Sequence, residues 1–346
     1  MRPLTLGRLF LRCGILAIIL FIVVVIALKL GAVQVSLYGL GRDLIHVLLG
    51  RSNAISTEYG MVVINIRLPR ILLGIFVGAA LAVAGTSFQA LLRNPLADPY
   101  VLGVSSGASV GAILALIVEN HLALSPAFAG LVTPVGAFLG AALTIGAVYL
   151  LGRHNGQIDS STLLLGGIIT ASFLQAVINF LMSTVLGGNL RGASYWLMGD
   201  LSTPQPRSLL YVLGIGFVIA AGAIYTTAAD LNLLLAGEKE AMHLGVDVRR
   251  VRIVVYLAAS ILTGLAVSVS GTIGYVGLLV PHVMRLVFGS DHRMLLPAAA
   301  LGGAIALVIA DTLARTVVAP SELPVGAVTA IVGAPLFIYL LRRRLA

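Results

Sequence analysis

Four polar side chains, Ser172, Gln175, Asn179 and Ser183, stand three, four and four residues apart in an otherwise apolar stretch. At 3.6 residues per turn they share one helix face. Hydroxyls and amides so placed can donate to and accept from a polar solute, but they set no nucleophile beside a base. The chemistry they suit is weak, reversible hydrogen bonding: the wall of a wet cavity, or polar glue between neighbouring helices. Asp311 and Arg315, four residues apart, can pair with each other, as a structural ion pair at a helix end does. Arg67 and Arg70 flank Pro69, and with Arg315 they read either as an electropositive collar for an acidic partner or as lipid-headgroup anchors. Gly237 and Gly245 bracket a short charged run, Glu238 to Leu244, in which Ala241, Met242 and Leu244 supply apolar contacts. Gly245 suits a left-handed helix stop. That run is either a solvated loop or a docking element for a soluble partner.

Other chemistry is missing from the chain. It holds no GxxxxGKS/T phosphate loop, no HExxH and no GxSxG elbow. Its six histidines do not group at metal-ligand spacing, so no metal site is expected. The single Cys13 excludes a disulfide framework and a CxxC redox pair.

The elements that must position these residues follow from composition. The chain has 346 residues, 59% hydrophobic and 10% charged, with a mean hydropathy of +1.06. Soluble domains carry roughly 25% charged residues, so this chain cannot cover a globular surface. At about 20 apolar residues per crossing it fills roughly ten membrane spans. Apolar runs between Gly, Pro and charge clusters place them at 12–32, 71–91, 101–118, 127–151, 162–185, 208–228, 252–270, 274–289, 295–315 and 325–341. Ten spans put both termini on one side. That side carries 14 of the 22 Lys and Arg residues and the other carries 8, which places the termini in the cytoplasm, with a bacterial inner membrane as the setting. The net charge of +9 therefore sets orientation and does not imply nucleic-acid binding. The whole chain, 1–346, is expected to be one transmembrane domain. Segment 33–60 has an amphipathic pattern and is expected to lie flat on the outer face. Segment 229–250 hangs from the cytoplasmic face. Arg67-x-x-Arg70 before one apolar run echoes Arg249-x-x-Arg252 before another, five spans later, as an inverted repeat would.

Several segments together resemble a known family. They are RLPR at 67–70, GAALAVAGTSFQALLRNPLADPYVLGVSSGA at 78–108, YWLMGDLS at 195–202, LLLAGEKEAMHLGV at 233–246, GYVGLLVPHVMRL at 274–286, DHRMLLP at 291–297, ADTLAR at 310–315 and ELPVGAVTAIVGAPLFIYLL at 322–341. In this order they resemble the FecCD-type permeases, the membrane subunits of type II ABC importers for ferric siderophores, haem and cobalamin. The resemblance runs from about residue 60 to the C-terminus. It implies an all-α permease fold of ten helices working as a homodimer in lipid. It also implies two separate ATPase subunits, which hold the ATP and Mg while this chain binds no cofactor, and a periplasmic substrate-binding protein. By the same resemblance, Glu238, Glu240, Ala241, Met242 and Gly245 belong to the coupling segment. Arg67, Arg70 and Arg315 meet acids on the binding protein. Ser160 and Ser161 form the cytoplasmic gate, and the stripe of Ser172, Gln175, Asn179 and Ser183 lines the pathway.

Two other classes compete. An ion-gradient-driven secondary transporter with inverted repeats would want a charged residue at mid-membrane, for which Asp311 is the only weak candidate. An intramembrane enzyme would want a paired nucleophile and base, which the spans lack.

Overall fold

A computed structural model describes residues 5–31, 62–121, 126–154, 157–158, 160–184 and 190–345. The segment 33–60 lies outside them. The described helices are α1 Leu6–Lys29, α2 Leu68–Leu91, α3 Val104–His121, α4 Pro126–Leu151, α5 Ser160–Thr184, α6 Leu190–Leu197 and α7 Arg207–Thr226, then α8 Ala228–Leu234, α9 Glu238–His243, α10 Val248–Ser270, α11 Val276–Phe288, α12 His292–Ala314 and α13 Val325–Leu345. A π-helical turn, Val63–Arg67, leads into α2, and a 3-10 turn, Pro99–Leu102, precedes α3. Among the described residues, extended structure is confined to a two-residue antiparallel ladder, β1 Arg153–His154 with β2 Gln157–Ile158.

Each apolar run read as a span falls on a helix. Seven of these helices (α1, α2, α4, α5, α7, α10 and α12) are long and apolar enough to cross a membrane, while α3, α11 and α13 carry shorter apolar stretches. The core is made by three of the seven. Of the apolar windows of α2, α10 and α12, 83, 72 and 67% are buried, against 6% for α1. Small residues permit this. A Cβ on Gly78 of α2 would stand 2.3 Å from the carbonyl oxygen of Gly303 in α12, and one on Gly303 would stand 2.2 Å from that of Gly78. The two backbones therefore touch, as small-residue packing in lipid allows. Gly136 and Gly140 of α4 meet Gly107 and Gly111 of α3 in the same way.

Polar pins fix the loops. The Tyr100 hydroxyl donates to the Ile273 carbonyl at 2.7 Å and accepts from the Ile273 N–H at 2.8 Å, holding the 3-10 turn against the chain entering α11. Asn232 of α8 donates to Asp291 at 2.7 Å and accepts from the His292 N–H at 2.8 Å, tying α8 to the start of α12. Asp291 caps that helix by accepting from the Arg293 N–H.

Candidate functional site

The short helix α9 forms where the sequence places it, and its ends explain why. Gly237 enters at φ +141° and Gly245 leaves at φ +87°, both in territory that glycine occupies without strain. At the exit, the Val246 N–H reaches the Ala241 carbonyl and the Gly245 N–H reaches that of Met242, both at 3.0 Å, which closes a Schellman stop. Six residues cannot hold a helix alone, so α9 depends on what it touches. Ala241 is fully buried and is its apolar foot. Glu240, Met242 and Leu244 are exposed, the last two at 53 and 67%. The expected apolar contacts thus divide: Ala241 faces the bundle, whereas Met242 and Leu244 face out.

Glu238 has a role that the sequence does not suggest. Its Oε1 receives the Arg93 guanidinium at 3.1 Å and also, in a shorter contact, that of Arg252. Arg93 follows α2 and Arg252 lies in α10, so one carboxylate oxygen fastens α9 to two of the three core helices. A charged pair more than a hundred residues apart leaves no periodic signal, which is why Arg93 was not among the expected site residues.

Arg67, Arg70 and Arg315 do converge, but an outward-facing collar is not what they form. Arg67 and Arg315 are 5 and 6% exposed. Arg67 donates to the Leu28 carbonyl at 2.7 Å and Arg315 to the Ala27 carbonyl at 2.6 Å. These are among the last carbonyls of α1, which lack intrahelical donors and sit at the negative end of the helix dipole. Two buried guanidiniums therefore cap α1. Arg70 grips Asp311 with Nε and Nη2, each at 2.9 Å, and reaches Glu322 at 2.7 Å with Nη1. Asp311 also faces Arg315 at 3.7 Å, so the expected i,i+4 pair exists as part of a larger network. Arg70 extends to an exposed partner, Glu322, whose side chain is 42% exposed. The second arginine of each echoed motif, Arg70 and Arg252, pairs with a carboxylate.

The polar stripe on α5 points away from the bundle. Ser172, Gln175, Asn179 and Ser183 are all exposed, whereas Leu163 and Ile178 on the other face are buried. Gln175 donates to Asn179 at 3.2 Å, and the two serines donate to carbonyls of their own helix. No helix among the described residues covers these groups. Amides turned toward hydrocarbon would cost several kcal/mol each, by order of magnitude, so this face belongs against water or a second body. Ser160 is the first residue of α5, and Ser161 next to it is exposed.

The FecCD transport family profile matches residues 19–343. The cobalamin import system permease BtuC of Halobacterium salinarum is 45% identical over 284 residues, covering 82% of this chain and 74% of that protein. The hemin transport system permease HmuU of Yersinia pestis is 44% identical over 288 residues, covering 81% and 83%. Among solved structures, a metal-chelate type ABC transporter in an inward-facing conformation superposes with a TM-score of 0.78 at 30% identity, covering 95% of this chain and 98% of that one.

Proposed function

Because this chain belongs to the FecCD transport family, we propose that it is the permease subunit of an ABC importer, moving an iron chelate (a ferric siderophore or haem) or cobalamin across the bacterial inner membrane by alternating access. The observation that carries the reading is the polar stripe of Ser172, Gln175, Asn179 and Ser183 on the open face of α5. Two copies of the chain set face to face enclose these stripes as a hydrogen-bonding conduit without a strong ligand. Large polar chelates pass such a wall without being trapped.

The other parts follow the same plan. Both termini and α9 lie in the cytoplasm, ten helices cross, and the two halves are inverted repeats. Two separate ATPase subunits bind and hydrolyse ATP with Mg, and this chain is not itself an enzyme. They dock on Glu240, Met242 and Leu244. Glu238, Ala241 and Gly245 hold α9 rigid, so that closure of the ATPase pair moves α2 and α10. Ser160 and Ser161 narrow the inner end of the path. A periplasmic binding protein delivers cargo to the outer rim, where Arg70 and Glu322 meet it above the frame held by Arg67 and Arg315.

The test is reconstitution of the purified chain in vesicles, with and without its ATPase. Uptake should require both the ATPase and ATP. Uptake by the chain alone, driven by an ion gradient, would refute the importer reading in favour of a secondary transporter.

A further inference from the structure

A small polar cup and a long apolar groove meet where α2 and α7 begin. The cup has a volume of about 130 Å³ and the groove one of about 760 Å³, and Pro69, Arg207 and Leu210 line both. We propose that together they bind an anionic phospholipid, with its phosphate in the cup against Arg207 and an acyl chain along the groove.

Arg207, the first residue of α7, is exposed. Its Nη2 donates to Asn65 Oδ1 at 3.0 Å. Asn65 is a neutral acceptor, and among the described residues Arg207 has no carboxylate partner. The bond orients the guanidinium and leaves its charge uncompensated. Its Nε and Nη1 donors then form the planar fork that matches phosphate oxygens. The Asn65 amide and the Ser202 hydroxyl, on the same wall, add neutral donors. Arg70 also touches the cup, but its guanidinium is committed to Asp311 and Glu322 and is not counted. Asp200 is occupied by the Ser202 and Thr203 N–H groups and the Thr203 hydroxyl, at 2.7–3.2 Å.

From Arg207 the groove follows one face of α7 through Leu210, Gly214 and Val218 to Ile219, opposite Leu68, Leu72 and Phe76 of α2. At about 1.5 Å per residue, the twelve steps from 207 to 219 span about 18 Å. Half of a hydrocarbon core of about 30 Å is about 15 Å, so the groove is as deep as one leaflet. Gly214 keeps it open over the Phe76 ring, where a Cβ would stand 3.3 Å from Phe76 Cζ. Tyr211, exposed one turn from Arg207, is the amphipathic ring expected at the headgroup level. A charged end followed by one leaflet of apolar wall is the layout of a phospholipid. An acidic peptide would use the cup and leave the groove empty, and an apolar face of a second copy would leave Arg207 uncompensated. The site needs only a membrane-spanning chain and does not rest on the importer reading.

The full-length chain, purified and exchanged into matched lipid, tests this. Native mass spectrometry counts retained phosphatidylglycerol against phosphatidylcholine with the same acyl chains, and thermal midpoints are measured alongside. Wild-type chain should retain phosphatidylglycerol preferentially. Arg207→Gln should cut that retention about tenfold by removing the charged partner of the phosphate, and Ile215→Trp about fivefold by filling the groove. Both residues are exposed, so both variants leave the packed bundle in place. Arg153→Gln, at an exposed arginine elsewhere, should keep the wild-type value. Equal retention of the two lipids by wild type overturns the proposal, as does an unchanged preference in Arg207→Gln. Wild-type retention in Ile215→Trp overturns it by leaving the acyl chain outside the groove. A change of oligomeric mass in that variant without loss of lipid overturns it in favour of a second copy. Glycerol 3-phosphate raising the thermal midpoint as far as phosphatidylglycerol does overturns it in favour of a soluble phosphate.

Discussion

Replacing Glu238 with Gln separates fastening α9 from docking on it. The side chain keeps its shape but loses its charge toward two arginines. Arg252 is 13% exposed and Arg93 is 41% exposed, so the two contacts are not equal. A mostly buried hydrogen bond between charged groups contributes about 1.5–3 kcal/mol. An exposed ion pair contributes about 0.2–1 kcal/mol. Glutamine retains a neutral acceptor, so the expected loss is about half of the combined value, or about 1–2 kcal/mol. That loosens α9 from α2 and α10 by roughly five- to thirtyfold in equilibrium terms. The assay is substrate taken up per ATP hydrolysed, in vesicles holding the chain with its ATPase and binding protein. ATPase assembly should stay intact because Glu240, Met242 and Leu244 are untouched. ATP hydrolysis should continue while uptake per ATP falls by at least about fivefold. Exchanging the charges, Glu238→Arg with Arg252→Glu, should recover part of the loss. Uptake per ATP within about twofold of wild type in Glu238→Gln would refute the claim that this carboxylate transmits motion.

Glu322 competes with any acidic partner for Arg70. Glu322→Gln should therefore strengthen binding-protein affinity by up to about fivefold, as measured by surface plasmon resonance, and a fall in affinity would remove Arg70 from the docking surface. At the start of α12, the hydrogen bond from the Arg293 guanidinium, helped by Asn232 and the Arg293 N–H against partial desolvation, holds the Asp291 carboxyl down at about 2. A depressed carboxylate stabilises the fold above its unfolded value of about 3.9 and loses that contribution as pH falls toward 2. Thermal midpoints in detergent should drop between pH 4 and 2 in wild type and drop less in Asp291→Asn; parallel profiles would show that Asp291 is not the titrating group.

How much of this was legible beforehand depended on the range of the interaction. The apolar runs, the stripe at Ser172, Gln175, Asn179 and Ser183, and the short helix between Gly237 and Gly245 all rest on neighbours within a few residues, where helical period and glycine's backbone freedom act directly. The sequence by itself also determined that the chain lives in a membrane, because 10% charge cannot cover a soluble surface. Only the tertiary structure decided which way side chains turn. Arg67 and Arg315 look like surface arginines in the sequence, yet they cap α1, because its last carbonyls needed donors and the chain brings residues 67 and 315 to them. Glu238 finds Arg93 and Arg252, and Asp311 finds Arg70, across separations that no periodicity encodes. From its spacing the stripe reads as a cavity wall or as glue between helices; that its side chains stand exposed among the described residues was decided only by the tertiary structure, since burial belongs to the packed bundle and not to any one helix.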